Sequence, residues 1–447
     1  MRNAQEFNVR IFRGYVIHVP YSPFKIGDEV ALHAFPDGGI VVNALGTIVE
    51  TGSFKQMRLR HPRARIIDRT GCYLIPGFVD CHVHYPQVYM IACYGEQLLD
   101  WLNLYTFPEE ARYKDPLYAK QAAKVFFDEL IKCGTTTANV FGSQFILAME
   151  EAFLEAERRR IRVIMGLNLS DRNIPEALRL TPEKAYTLSR TLAKKWHKRG
   201  KALYAVTPRF APVCTPEMLR VCGRLLAESP DYRLHTHANE NSGEVEWMKT
   251  KELFPKQSYM EVYRRFGLTG PRSLFAHSIY ATPQEVALMA RTGCRVAHCT
   301  SSNFFLGSGH FPMRRYVEAG IPFGIGTDIA GGTGLSMLKE LERAYGCQMI
   351  LHASDPKLAY RLSGTKLLYL ATQAGAETLG LEDVAGSFLS GRAADITVLN
   401  PARETYLPER MRNCSTPAEE LFVLCIAGAS HLVQEVYTEG QIAYRAK

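Results

Sequence analysis

Four histidines and one aspartate carry the first chemical signal in this chain. His82 and His84 stand one residue apart in the run Asp80-Cys81-His82-Val83-His84. Alternate residues of a β-strand point to the same side, so such a pair can aim two imidazoles at one ion. Alone the pair is a weak signal, because two ordinary polar residues near a strand end would look the same. His237, His277 and Asp328 extend it. Imidazole and carboxylate together suit Zn²⁺, with Fe²⁺ as a second option. An ion held that way lowers the pKa of water from ~15.7 towards ~7, which is the basis of metal-assisted hydrolysis. Glu240 follows His237 by three residues, close enough to approach such an ion without binding it and to carry protons.

Distant residues meet only if the fold brings them together. Eight strand candidates, at 73–83, 135–142, 162–169, 202–210, 233–239, 273–280, 295–302 and 322–329, alternate with amphipathic helical stretches. Three helices open on Thr181-Pro182-Glu183, Thr215-Pro216-Glu217 and Thr282-Pro283-Gln284. Threonine caps free N–H groups there, and proline at the first helical position loses no bond. A further helix should run from Asp115-Pro116 to near Gly134, and Gly200 and Gly293 stand where helices should end. Eight strands alternating with helices predict a (β/α)8 barrel, an α/β fold whose chemistry collects at the C-terminal ends of the strands. The polar candidates fall there: His82 and His84, Arg209, His237 and Glu240, His277, and Asp328. Residues 1–74 and 385–447 read as short strands and turns. They predict one small β-sandwich built from both chain ends around a catalytic barrel at 75–384.

Composition narrows the classes. With 47% hydrophobic and 22% charged residues among 447, the chain has the make-up of a soluble globular protein with a large core. A net charge of +8 is mild, and the basic runs Arg158-Arg159-Arg160 and Lys194-Lys195 read as solvated helix faces, which argues against a nucleic-acid partner. Eleven cysteines without a Cys-x-x-Cys pair suggest reduced thiols and a cytoplasmic setting. No apolar run reaches the ~18 residues of a membrane span, and the first twenty residues lack the apolar stretch of a signal peptide. His18, His33, His61, His197, His352 and His431 lie away from the strand ends and read as structural. His235 and His298 lie within strands and should brace the barrel interior; His310 has no clear reading.

The motifs PGFVDCHVH (76–84), HTHANEN (235–241), AHSIY (276–280), HCTSSNFFLGSG (298–309) and GTDIAGGTGLSML (326–338) resemble the amidohydrolase superfamily. LLDWLNLYTFPEE (98–110), GTTTA (134–138) and VTPRF (206–210) are similar to its guanine-deaminating branch. The resemblance runs from about residue 73 to 402 and is weaker in the β-rich ends. It implies a distorted barrel beside a β-sandwich, a homodimer, and one zinc held by His82, His84, His237 and Asp328. His277 would be a further ligand or a partner of the bound water. The implied reaction replaces the 2-amino group of guanine by oxygen, giving xanthine and ammonia, a step of purine catabolism.

In that reaction Glu240 would move protons to ring N3 and to the leaving ammonia. Asp328 would accept a proton from the attacking water, and His277 would hold the developing oxyanion. Beside His237 and Glu240, Arg209 would read O6 and N7 with its fork, and Gln87 offers a donor and an acceptor. Trp101 and Phe210 could stack on the ring, or simply pack in the core. The 85–115 stretch is a candidate lid, and Ser301, Ser302 and Asn303 should shape the loop after strand 7. Thr300 departs from the family's usual proline, which bears on loop stiffness. Two-metal relatives bridge their ions with a modified lysine at the end of strand 4. Here that strand ends in Thr207-Pro208-Arg209-Phe210, and Lys201 lies at its opposite end, which points to one metal. Two alternatives stay open: a mononuclear deaminase or chlorohydrolase of another aromatic heterocycle (cytosine, a triazine, another purine), and an inactive scaffold. The complete ligand set weighs against the scaffold.

Overall fold

Eight parallel strands form the centre of the computed structural model, which describes residues 9–95, 97–250 and 252–447. The first eight residues of the 1–74 segment, with the start of the signal-peptide reading, and Glu96 within 85–115 lie outside the described residues. In chain order the strands are β1 (Arg10–His18), β2 (His33–Val42), β3 (Ile48–Ser53), β4 (Arg65–Pro76), β5 (Phe78–His84), β6 (Thr135–Phe141), β7 (Arg162–Gly166), β8 (Asn168–Leu169), β9 (Ala202–Pro208), β10 (Arg233–Ala238), β11 (Ser273–His277), β12 (Arg295–His298), β13 (Phe323–Ile325), β14 (Ile396–Leu399), β15 (Val433–Thr438) and β16 (Gln441–Arg445). The barrel order is β13-β12-β11-β10-β9-β7-β6-β5, every pair parallel, with the short β8 beside β9. It closes between its first and last strands. The Asp328 N–H donates to the His82 carbonyl at 2.8 Å, and Thr327 donates from N and Oγ1 to the Asp80 carboxylate at 3.0 and 2.5 Å.

The helices form where the sequence signals place them. Thr181, Thr215 and Thr282 each accept a backbone N–H with their side chains and start helices Pro182–Trp196, Pro216–Ala227 and Pro283–Thr292. Helix Pro116–Lys132, capped by Asp115, buries Ala119, Ala122, Ala123, Phe126, Phe127 and Leu130, a stripe at helical spacing. Gly293 ends its helix with φ 75°, but Gly200 follows a helix already over at Trp196.

Both chain ends build a second, seven-stranded sheet of order β16-β15-β14-β4-β1-β2-β3, antiparallel except for β1–β4. It encloses its own core, including Phe12, Val16, Ile40, Leu74, Ile396, Val398 and Tyr437. Beyond residue 385 the chain also forms helix Pro417–Ala427, which lies against helices Met337–Ser354 and Gly364–Ala371. No helix among the described residues is long and apolar enough to cross a membrane.

Several strand ends differ from the sequence reading. The 73–83 run is two strands: β4 belongs to the terminal sheet, β5 to the barrel, and Gly77 joins them where a Cβ would sit 2.2 Å from Thr136 Oγ1. The apolar pattern continues across the joint, so periodicity could not show the break. β11 stops at His277 and β12 at His298, and Thr300–Phe305 is helical rather than extended.

Helix Gln373–Leu379 plugs the floor of the barrel. Its Ala376 and Leu379 join Val79, Cys81, Ile164, Ala205, Leu274 and Ala297 in one buried cluster. The fit depends on small residues: a Cβ on Gly324 would lie 2.5 Å from Cys81 Sγ and 2.8 Å from Gly375 Cα. Gly324→Ala should therefore lower stability by about 1–3 kcal/mol, as overpacking of a dense core does. A fall in the urea midpoint measures this; an unchanged midpoint would mean the plug adjusts without strain.

Candidate active site

Strand β5 supplies the first two side chains. Its pairing with β6 slips by one residue between Asp80 and Val83. An extra residue in a strand re-aims its neighbours. Here Val79 and Cys81 serve the interior core, while His82 and His84 turn their rings towards each other with Nε2 atoms 3.1 Å apart. His237, near the end of β10, brings its Nε2 to 3.1 Å from that of His84. Asp328, past β13, sets Oδ1 3.0 Å from His82 Nε2 and 3.3 Å from His84 Nε2. All four side chains are buried, and their ligand atoms lie within 4.8 Å of one another.

The donor set fits a cation. The His237 Nδ1–H donates to the Arg209 carbonyl at 2.6 Å, which leaves the Nε2 lone pair facing inward. His82 Nδ1 faces His235 Nε2 at 2.5 Å. That spacing takes one N–H between the two rings, whereas the inward Nε2 lone pairs of His82, His84 and His237, 3.1 Å apart in succession, repel unless positive charge lies among them. Protons are a poor source of it: burial drives His82 down to about 4, and burial with the neighbouring imidazoles holds His237 well below the usual histidine range. Burial alone would raise Asp328, yet the surrounding histidines hold it well below the ordinary carboxylate range. Four-coordinate Zn²⁺ with bonds of about 2.0–2.1 Å places its ligand atoms about 3.3 Å apart, close to the spacing found here.

His277 stands beside this set rather than within its closest four atoms. Its Nδ1–H donates to Asn303 Oδ1 at 2.9 Å, and Nε2 lies 3.4 Å from Glu240 Oε2 and 3.6 Å from Asp328 Oδ2. Burial, then the charges of Asp328 and Glu244, push the Glu240 carboxyl well above its ordinary range, against the pull of Arg209. The backbone is bent hard around these groups. Asn239, His277, Ser278 and Asp328 all have positive φ, between 48° and 70°. Non-glycine residues in that region cost roughly 1–3 kcal/mol each, and such strain gathers at functional sites.

A cavity of about 390 Å³ opens over the set. His84, His237, Glu240, His277 and Asp328 line its floor side; Gln87, Leu98, Trp101, Leu102, Arg209, Phe210, Leu306 and Gly331 complete the wall. The structure thus brings every residue singled out from the sequence to one place, with His82 just beneath. Two differ in detail. Gln87 Oε1 accepts the Ala330 N–H at 2.8 Å and its amide donates to Glu110 Oε1 at 3.1 Å, so only one N–H remains for a ligand. Phe210 also packs against Trp247.

Sequence reasoning missed one contributor and gave two others, His235 and Asn303, only a general structural role. Glu110, fully buried, accepts from Arg209 Nη1 on both oxygens at 2.9 and 2.7 Å and from Gln144 Nε2 at 3.2 Å. Its signal was a carboxylate three residues after buried Phe107 on the apolar face of a helix. His235 braces His82 itself, beyond the barrel interior in general, and Asn303 sets the tautomer of His277.

Comparison with known proteins follows the same lines. A model of the "Amidohydrolase family" matches residues 73–425. The chain is 42% identical to a probable guanine deaminase of Deinococcus radiodurans, over 98% of this chain and 99% of the relative. The solved structure of a guanine deaminase from E. coli superposes with a TM-score of 0.93 at 36% identity, covering 98% of this chain and all of that one. A guanine deaminase from C. acetobutylicum with guanine bound in its active site gives a TM-score of 0.88 at 29% identity, covering 98% and 100%.

Elemental analysis of the purified protein should find one divalent ion per chain. His82→Ala, His237→Ala and Asp328→Ala should each lose it on dialysis. Full occupancy in Asp328→Ala would dismiss this ligand set.

Proposed function

Because this chain belongs to the amidohydrolase family, we propose that its barrel mouth hydrolyses guanine to xanthine and ammonia, using one zinc ion. One observation carries this furthest. A single cavity holds a buried carboxyl poised to keep its proton, Glu240, across from an arginine whose free edge faces the space above three histidines and an aspartate. The relative with guanine in its active site supports the choice of purine.

His82, His84, His237 and Asp328 would hold the ion, which supplies the Lewis acidity that brings a water's pKa from ~15.7 towards ~7. The remaining work falls to the chain's own groups. Attack at ring carbon C2 sends electron density to N3, which must then gain a proton. Glu240 is raised by burial and by Asp328 and Glu244, so near neutral pH it has a proton to give. It delivers that proton to N3 and, recharged with the proton released by the attacking water, passes one to the departing amine; the second proton of that water, lost as the C2 carbonyl forms, restores the carboxyl. Asp328 stays ionised and can take the proton from the attacking water. His277 is held through Nδ1 by Asn303, which turns its Nε2 edge towards Glu240 and Asp328, beside the oxygen on which negative charge develops.

Recognition falls to the opposite wall. Arg209 spends Nη1 on Glu110; Nε and Nη2 have no hydrogen-bond partner among the described residues and suit O6 and N7 of the base. Gln87 adds its remaining N–H. Trp101 and Phe210 offer flat apolar surface to the ring.

Glu240→Gln should keep the metal and lose turnover by about 10²–10⁴-fold, the usual worth of a positioned acid–base group. Near-normal turnover would remove the shuttle role. Absorbance assays with guanine, adenine, cytosine and a triazine should show turnover of guanine alone, and Arg209→Met should raise KM for guanine steeply. An unchanged kcat/KM in Arg209→Met would put the base elsewhere.

A further inference from the structure

One buried carboxylate gathers the recognition wall of this cavity. Glu110 Oε1 accepts from Arg209 Nη1 at 2.9 Å and from Gln87 Nε2 at 3.1 Å; Oε2 accepts from Arg209 Nη1 at 2.7 Å and from Gln144 Nε2 at 3.2 Å. These partners come from segments following three different barrel strands: Gln87 after β5, Gln144 after β6 and Arg209 after β9. Glu110 itself sits on helix Phe107–Arg112, whose Phe107 ring lies 5.4 Å from the Arg209 guanidinium carbon. The helical segment just before it, Leu98–Thr106, supplies the cavity residues Leu98, Trp101 and Leu102.

A buried ion pair is weak evidence of stabilisation, since apolar residues of similar volume often do as well. What this pair achieves is geometric. Arg209 and Glu110 are 3% and 0% exposed, so neither side chain can swing out to water. The carboxylate occupies the inner nitrogen of the guanidinium and one amide hydrogen of Gln87. What remains of both donors belongs to the cavity.

We propose that Glu110 is the positioning residue that sets specificity for the polar edge of the base: it fixes Arg209 and Gln87 together and ties them to the helical connection whose Leu98, Trp101 and Leu102 line the cavity. This rests on guanine being the substrate. Glu110 touches neither the substrate nor the reacting atoms; it acts through Arg209 and Gln87. Its loss therefore weakens binding of the ring more than the chemistry at C2.

The test is a cycle of four proteins: the parent, Glu110→Gln, Arg209→Met and the double variant, each assayed for kcat and KM with guanine, metal content and thermal midpoint. Glu110→Gln should raise KM by about 10- to 100-fold, in keeping with the strength of charge-assisted hydrogen bonds, with kcat falling less than about threefold and metal content unchanged. The double variant should lie within about twofold of Arg209→Met, because residues that act as a unit are not additive. It removes both charges at once, so it keeps the question answerable even where Glu110→Gln strands a buried guanidinium and unfolds. Two results overturn the proposal: a double variant whose loss is the product of the single losses, or a Glu110→Gln enzyme with unchanged KM. A parent enzyme inert towards guanine overturns the substrate reading, and this inference with it.

Discussion

Three imidazole nitrogens and a carboxylate oxygen share a space too small and too dry for any of them to be solvated, and the rest of the structure serves that constraint. Three of the four members are held from behind. His235 stands at the far nitrogen of His82, a carbonyl takes the far proton of His237, and the backbone N–H of Asp328 bonds the carbonyl of His82. The last bond is also the seam at which the barrel closes. Assembly of these four side chains and closure of the barrel are therefore one structural event, and the set can form only in a barrel whose first and last strands have met. The same over-determination lets four strand-end residues keep a left-handed backbone that an isolated turn would avoid.

The cavity has two walls built by different means. The catalytic wall hangs on strand ends, where a rigid sheet fixes direction. The proposed recognition wall joins Arg209 and Phe210, at the end of β9, to the long connection after β5, a short 3₁₀ turn carrying Gln87 and a helical segment carrying Trp101 and Glu110. Strand ends suit the part that must not vary. A connection joined to the barrel through polar contacts is the part that can be altered to suit another ring without disturbing the metal ligands.

Much of this was legible in the sequence, because the relevant rules are local. The spacing of His82 and His84 reports a strand, threonine–proline starts report helices, and polar residues ending apolar runs mark one mouth of a barrel. The failures have local causes as well. At Gly77 the chain passes from one sheet to another without a change in hydrophobicity, so nothing in the pattern marks the joint. After His298 a run of threonine and serines has little helical signal, yet it turns helical because Ser301 N–H finds the buried Glu340 carboxylate and Asn303 must reach His277. Glu110 gave no sign of a role of its own; its burial depends on three partners up to 99 residues away, and no window of sequence contains them.

The helix sealed into the barrel floor has a consequence for traffic. Ala376 and Leu379 pack against residues of β5, β7, β9, β11 and β12 at that end, and the cavity over the ligand set is lined at the other by Trp101 and Leu102. In the proposed reaction the heterocycle would lie between those two side chains and the ion, so the smaller product would form beneath the larger one and leave after or around it.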